Sequence, residues 1–433
     1  MGTKLGRIEE MSAKNPKMIF TSLYHLINED LLRECHEQID GRKAVGIDFV
    51  TKAEYEVKLA ENLKGLVTRL KEKSYKPQPS RRVYIPKANG EKRPIGMAAY
   101  EDKLVQSALS KILMAVYEPK LSNHMYGFRP NRDCHGALKA LTRLVESGRT
   151  SYIVEADIKG FFNNMSHDRI IDAIRFRIAD PNILWLVKKI LTAGVVDEGK
   201  WQPTVKGAEQ GNLASPIIAN VFMNYTLALW YDLVFMRKCR GDSGLVVYAD
   251  DFIATFQAKD DAMQFLSEIK ERFSKVGLEL EPSKTRLIEF GRFAEINRKK
   301  RGLGKPETFD FLGFTHYCSK SHTTGKFRMK RKTAQKKYRM RLIGMNVWLK
   351  RNRHLFLKDL FKILNSKLRG YYHYYGITDN FYSLKKYLFQ IERLLFKWLN
   401  RRSQKKSYDW DGFKQLLKIF PLEKPRIYYN VYS

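Results

Sequence analysis

Apolar positions fall into two rhythms along this chain. From 57 to 70 they recur at helical spacing (Val57, Leu59, Leu63, Leu66, Val67, Leu70), and Pro77 and Pro79 close the stretch. The pattern predicts helix over 18–76, interrupted by a loop near 40–48. Arg81 to Lys87 and Glu91 to Gly96, joined by Ala88-Asn89-Gly90, read as a hairpin with cations on both arms. Helices are expected over 100–116, 134–146, 170–179 and 182–193. A short apolar strand, Tyr152-Ile153-Val154-Glu155-Ala156-Asp157-Ile158, ends in an acid. The strongly apolar run 217–234 reads as a buried helix. A second hairpin follows, with Leu245-Val246-Val247 and Phe252-Ile253-Ala254 flanking Tyr248-Ala249-Asp250-Asp251. An amphipathic helix over 260–276, a strand from Leu278, a basic loop over 297–306 and a strand over 309–314 complete this part. Beyond Lys326 the pattern turns all-helical, with 356–368 and 381–399 separated at Gly370 and a tail broken by Pro421 and Pro425. No internal repeat is visible.

Charge adds a boundary to this pattern. The 433 residues carry a formal net charge of +33, from 79 Lys plus Arg against 46 Asp plus Glu. From Ser319 to the end there are 29 basic and 6 acidic residues, whereas the first 318 carry 50 and 40. We therefore expect an N-terminal helical extension over 1–80, a mixed region over 81–325, a basic helical region over 326–400 and a basic aromatic tail over 401–433. A polyanion is the expected partner, bound by counterion release. A merely solvated basic surface is the alternative, but rings are interleaved with the charge: Trp348, Tyr371, Tyr372, Tyr374, Tyr375, Trp398 and Trp410. No clean lipid-facing helix stands out, so no membrane partner is expected. No run of about 18 apolar residues occurs, and the N-terminus lacks the apolar core of a signal peptide. Cys35, Cys134, Cys239 and Cys318 are scattered without a Cys-x-x-Cys pair, which fits a reducing, cytoplasmic setting and no zinc knuckle.

The chemistry concentrates in the acids. A hairpin with Asp250 and Asp251 at its tip is either a solvated turn or a cation site, because adjacent carboxylates repel unless a cation lies beside them. Asp157, at the end of its own strand, is far enough upstream to belong to a neighbouring strand of one sheet. Three carboxylates on adjacent strand ends can hold two divalent ions about 4 Å apart, and magnesium suits hard oxygen ligands and phosphate.

These blocks, in this order, resemble the group II intron-encoded reverse transcriptases, also called maturases. Arg82-Val83-Tyr84-Ile85-Pro86-Lys87 is similar to the first fingers block, and Tyr126-Gly127-Phe128-Arg129-Pro130-Asn131-Arg132 to the second. Asp157-Ile158-Lys159-Gly160-Phe161-Phe162 resembles the third, Gln210-Gly211-Asn212-Leu213-Ala214-Ser215-Pro216 the fourth, and Tyr248-Ala249-Asp250-Asp251 the fifth. Pro282-Ser283-Lys284-Thr285 and Phe311-Leu312-Gly313-Phe314 look like the sixth and seventh, and Leu368-Arg369-Gly370-Tyr371-Tyr372-His373-Tyr374-Tyr375 is similar to the thumb, or maturase domain. One departure is Glu209, where most relatives have Pro before Gln-Gly. No His- and Cys-bearing segment follows residue 433, so the resemblance implies a form without the target-nicking nuclease.

The resemblance implies an α+β right-hand polymerase, with fingers, a palm built on a small antiparallel sheet, and an all-helical thumb. Asp157 and Asp250 would coordinate two Mg2+ ions with the Ile158 carbonyl assisting and Asp251 nearby. Lys87 and Arg93 would hold the triphosphate, Phe162 would lie under the sugar and exclude a 2′ hydroxyl, and Gln210 would touch the nascent pair. Lys284 is either a support for the carboxylates or a surface lysine. Arg129 is expected to anchor its own turn. Arg328, Lys330, Arg331, Lys332, Lys336, Lys337, Arg369, Tyr371, Tyr372 and Tyr375 are the candidate RNA contacts. The implied activity is RNA-directed DNA synthesis from deoxynucleoside triphosphates on an RNA template with a DNA primer, together with binding of intron RNA in splicing and of a DNA target in mobility. Other readings stay open at this point: a splicing cofactor with dispensable polymerase activity, a relative adopted for host defence or repair, and an RNA-copying RNA polymerase.

Overall fold

The computed structural model of the chain describes residues 2–86, 92–321, 323–404 and 407–432. Its strands are β1 (Ser80–Pro86), β2 (Lys92–Met97), β3 (Tyr152–Asp157), β4 (Val195–Asp197), β5 (Lys200–Gln202), β6 (Ser243–Tyr248), β7 (Asp251–Phe256), β8 (Arg286–Glu289), β9 (Phe309–Phe311), β10 (Phe314–Lys320) and β11 (Phe327–Thr333). Two compact units form. The first holds the chain through Cys134 with Val154–Ala254 and Ala258–Leu287; the second holds His135–Ile153, Thr255–Gln257 and the chain from Ile288 onward.

The first unit is built around helix Tyr100–Tyr117. Its Leu104, Val105, Ala108, Leu109, Ile112, Leu113 and Val116 are all buried, a stripe wide enough to be covered on several sides. Helices Gly2–Lys14, Glu29–Gln38 and Ser215–Met223 pack against it. The N-terminal helices are therefore part of this core, and no unit boundary falls at residue 80. Helix Gly2–Lys14 escaped the hydrophobic pattern because polar groups dock it. Buried Ser12 Oγ donates to Val116 O at 2.6 Å, and Arg177 Nη2 reaches Ser12 Oγ at 3.1 Å.

Two four-stranded sheets belong to the fingers and palm pattern. The fingers sheet has the order β2-β1-β4-β5, with β1 and β2 antiparallel (Arg82 opposite Gly96, Ile85 opposite Arg93). Its β1–β4 pair is parallel, so this sheet is mixed rather than antiparallel. The hairpin turn, with Lys87, lies outside the described residues. The palm sheet has the order β6-β7-β3-β8. Leu278–Leu280, expected to start a strand, supplies only one bridge, Leu280 to Ile158; pairing resumes later at β8. The apolar run near 217–234 is helical from Ser215 to Met223 and continues through π turns at Asn224–Ala228 and Tyr231–Phe235. Ser215–Lys238 is long and apolar enough to cross a membrane, contrary to the expectation of no such stretch. Yet 72% of its apolar window is buried inside the protein, as expected of a core helix.

The second unit corrects the all-helical expectation beyond Lys326. β11 pairs antiparallel with β10 from Phe327 opposite Lys320 to Thr333 opposite Phe314, and β9 closes the sheet on the far side of β10. Met329, Arg331 and Thr333 point inward at the two-residue period of a strand. An arginine in the middle of that inward row hid the alternation. Helices Gln335–Asn352, Leu357–Tyr375, Phe381–Leu399 and Trp410–Ile419 follow. Gly370 does not separate two helices; it sits exposed inside Leu357–Tyr375. The break falls at Gly376, where an added Cβ would meet Tyr372 O at 2.3 Å and Arg426 O at 2.5 Å. The tail is bound into this unit. Tyr428 N donates to Gly376 O at 2.7 Å, and the Tyr429 ring stacks on His135 at 3.7 Å.

Candidate active site

β6 and β7 are joined by a turn in which Ala249 takes a left-handed conformation (φ +57°). That turn sets Asp250 and Asp251 at the end of the palm sheet beside Asp157, the last residue of β3. The loop 122–129 supports it from behind. Met125 bridges Val247, Tyr126 N donates to Val247 O at 2.9 Å, and Val247 N donates to His124 O at 2.8 Å. Gly127 lies so close that an added Cβ would meet Ala249 N at 2.7 Å. Asn220, buried in the apolar helix, donates Nδ2 to Gly127 O at 2.8 Å. Arg129 is buried, reaching Glu118, Ser122 O and Met125 O, which is the anchoring role expected of it. Asn220 was missed by the sequence reading, although an amide in a long apolar run is itself a signal, since a buried polar group needs a partner.

The three carboxylates crowd one another. Asp157 lies within hydrogen-bond reach of Asp251. Burial raises the Asp251 carboxyl above the ordinary range, and Asp250 and Asp157 push it further. The Asp251 residue still presents an exposed face at the hairpin tip. Asp250 is raised by burial and by Asp157, with Arg93 and Lys284 opposing. Lys284, exposed, places Nζ on Asp157 Oδ2, and this contact raises the lysine. Its partner segment is fixed by Glu281 N donating to Asp157 O at 2.8 Å and Lys159 N to Glu279 O at 2.9 Å. Lys284 thus pairs with Asp157 rather than standing alone on the surface.

Among the described residues no group of three or more His, Cys, Asp or Glu side chains is arranged to hold a metal ion. The donor chemistry nonetheless fits a hard divalent cation. Every acidic donor is a carboxylate oxygen, and close carboxylates share their charge only through protons or through cations such as Lys284. A dication among them would reverse the balance that raises Asp250 and Asp251.

The residues expected to meet the nucleotide are held by a separate set of bonds. Gly160 (φ +56°) starts a short helix, Phe161–Asn164. Phe161 is buried and Phe162 half-buried on this helical turn. Ala208 N donates to Phe162 O at 2.7 Å, and Gly207 N to Met165 O at 2.7 Å. Gly207 O accepts from His167 Nε2 at 2.9 Å. On the other side, Gly96 N of β2 donates to Gln210 O at 2.7 Å. Gln106 Oε1 accepts from Leu213 N at 3.2 Å. Phe162, Gln210 and Arg82 line one cavity of about 210 Å3. Arg93 is exposed on β2.

Residues 85–316 match the reverse transcriptase (RNA-dependent DNA polymerase) family. The chain belongs to that family. Residues 345–416 match the group II intron maturase-specific domain. The group II intron-encoded protein LtrA of Lactococcus lactis subsp. cremoris is 27% identical over 90% of this chain and 76% of its own length. Protein YkfC of Escherichia coli K12 is 34% identical over 47% of this chain and 54% of its own. A 91 kDa protein in the cob intron of Schizosaccharomyces pombe is 29% identical over 51% of this chain and 28% of its own. The protein is thus an RNA-directed DNA polymerase of the group II intron reverse transcriptase and maturase kind, and dependence on a divalent metal comes with that family.

In the reverse transcriptase's second unit the candidate RNA contacts divide sharply. Tyr371, Tyr372 and Tyr375 are 7%, 0% and 3% exposed and form core, with Tyr371 stacked on Tyr387 at 3.8 Å. Arg331 is wholly buried, donating to Thr142 Oγ1 at 2.6 Å, and Lys330 is buried beside it. Tyr372, Arg331 and Lys330 are corrected to structural roles, while Tyr371 and Tyr375, though mostly buried, still edge a groove between the helices. Arg328 is half-buried over the Tyr432 ring at 3.7 Å, and exposed Arg369 lies 3.3 Å from Glu423. Lys332, Lys336 and Lys337 are exposed. Charge clustering along the chain marks a basic region but not which side chains turn inward. Lys337, Arg341, Trp348, Lys367 and Tyr374 line a groove of about 610 Å3 between the helices of this unit, with Lys367 Nζ 5.1 Å from the Trp348 ring centre.

Proposed function

We propose that the enzyme copies RNA into DNA with two magnesium ions held by Asp157 and Asp250, assisted by the Ile158 carbonyl, with Asp251 beside them. Magnesium, when bound, would supply Lewis-acid activation of the primer 3′ hydroxyl and neutralise charge on the departing pyrophosphate. Lys284 keeps Asp157 oriented and offsets part of the acidic charge before the nucleotide arrives. Arg93, whose charge already acts on Asp250, takes the triphosphate together with Lys87. Phe162 excludes a 2′ hydroxyl from the sugar position and Gln210 meets the nascent pair. Lys332, Lys336, Lys337 and the Trp348 groove bind RNA, both template with its DNA primer and the intron RNA whose splicing the protein assists. A DNA target completes the mobility cycle.

The observation that carries this reading is the convergence of Asp157, Asp250 and Asp251, with Lys284 on the first of them. Primer extension on an RNA template with deoxynucleotides, with and without magnesium, tests it. Asp250→Asn and Asp251→Asn together should abolish synthesis while intron RNA binding and splicing assistance survive. Retained synthesis in a folded double variant, or equal collapse of splicing, would sink the assignment.

A further inference from the structure

Glu209 precedes Gln210 in the loop that meets β2. Its carboxyl lies across Gly96: a Cβ on that glycine would stand 1.9 Å from Glu209 Cδ and Oε1. The Ser80 hydroxyl of β1 lies near enough to the same carboxyl to favour its charged form. Gly96 also carries the loop, through its N–H to Gln210 O at 2.7 Å. Gly211 (φ +110°) comes so close that a Cβ would meet Gly96 O at 2.3 Å. One side chain therefore lies against β2, within the influence of Ser80 and Arg82 of β1, at the point where the Gln210 loop is attached. We propose that Glu209 is a positioning residue for the incoming nucleotide: its neutral carboxyl clips the hairpin to the Gln210 loop, and ionisation releases the clip.

The surroundings favour the neutral form. Glu209 Oε1 is buried without a hydrogen-bond partner, and a charged oxygen left unpaired in the interior is costly. From β1, Arg82 faces the group but lies 3.5 Å from Asp197 of β4, which shares its charge. Lys206, in the same loop, lines the cavity and is exposed. The cavity walls from the Phe161–Asn164 turn and the Pro181–Leu191 helix are uncharged: Phe162, Asn163, Ile190 and Leu191. Burial pushes the carboxyl up to about 7, against the pull of Ser80 and Arg82. Above that pH the anion is better served by leaving Gly96 for the cavity, where water and Lys206 can reach it.

The proposal rests on Gln210 facing the nucleotide, so the experiment includes Gln210→Ala. KM and kcat for a deoxynucleotide are measured by primer extension from about pH 6 to about pH 8.5, with melting curves for every variant. In the wild type KM should rise about five-fold across this range, and Glu209→Gln, a neutral isostere, should hold KM low and flat. Gly96→Ala, whose methyl evicts the carboxyl, should raise KM about five-fold already at pH 6, and adding Glu209→Ala should cost nothing more. A Glu209→Gln enzyme that keeps the wild-type pH dependence, or a Gly96→Ala enzyme with wild-type KM at pH 6, overturns the proposal while an elevated KM in Gln210→Ala leaves the nucleotide reading standing. Unchanged KM in Gln210→Ala removes both.

Discussion

A single methyl group at Gly127 should cripple the enzyme without unfolding it. The Cβ of Gly127→Ala would lie 2.7 Å from Ala249 N and 3.3 Å from Tyr248 C, both in the turn that carries Asp250. Ordinary van der Waals contact begins near 3.4 Å, so the turn must retreat by about 0.7 Å. Backbone conformation is no obstacle, since Gly127 is not among the glycines with positive φ. The strain of such overpacking is about 1–3 kcal/mol, which at about 2–4 °C per kcal/mol lowers Tm by about 2–12 °C. The catalytic penalty should be larger, because misplacing reacting groups by about 1 Å costs about a hundred-fold. We expect the single-turnover rate of one nucleotide addition on an RNA template to fall about thirty-fold, with primer-template affinity preserved. Gly65→Ala, inside helix Leu59–Lys71, is the control: nothing lies within 4 Å of its added Cβ, and stability should rise by about 1 kcal/mol at unchanged rate. A Gly127→Ala rate within about three-fold of wild type would show that the turn tolerates displacement, and the account of positioning by close approach would fail.

Three further outcomes follow from particular contacts. Lys336→Ala with Lys337→Ala should flatten the salt dependence of RNA binding by up to about two units of slope at unchanged Tm, whereas Tyr372→Ala should cost about 3–5 kcal/mol of stability; salt titrations and melting curves separate them, and a stable Tyr372→Ala variant with weakened RNA binding would restore the ring to the RNA surface. Phe162→Ala should admit ribonucleotides in primer extension, and an unchanged sugar preference would remove the steric role of that ring. His316 is wholly buried, stacked on Phe309 at 4.9 Å and opposite Arg331 on β11, and burial holds its proton affinity well below the ordinary value. The unfolded chain therefore binds a proton that the folded chain refuses, so stability is full above about pH 6.5 and falls as pH drops below it, by up to about 1.4 kcal/mol per pH unit. His316→Phe should remove that part of the acid sensitivity in denaturant titrations, and an identical pH slope in both proteins would refute it.

The convergence of the acids was legible because its signals are local. An apolar strand ending in Asp157, and a hairpin with paired acids at its tip, state their own geometry through the two-residue period and turn chemistry. The amphipathic helices were legible for the same reason, and Phe381–Leu399 was bounded to the residue. The first helix was not, since hydrogen bonds from Ser12 and Arg177 dock it in place of an apolar stripe.

What the amino-acid order determined by itself was which acids sit at strand ends and turns, and the order of strands and helices that bears them. Which side of an element faces inward at a charged stretch was decided only by the tertiary structure. Arg331 has the composition of an RNA contact and the position of a core residue, because β11 pairs with β10 and turns every second side chain toward the interior. Tyr371, Tyr372 and Tyr375 went inward on the same principle, at helical spacing. Glu209 is the counterpart at the nucleotide side. Its sequence neighbourhood shows only an acid before Gln210, while its contact with Gly96 and Ser80 exists because a loop and two strands distant in the chain meet there. Burial is a property of what packs against a residue, and those partners are supplied by the fold.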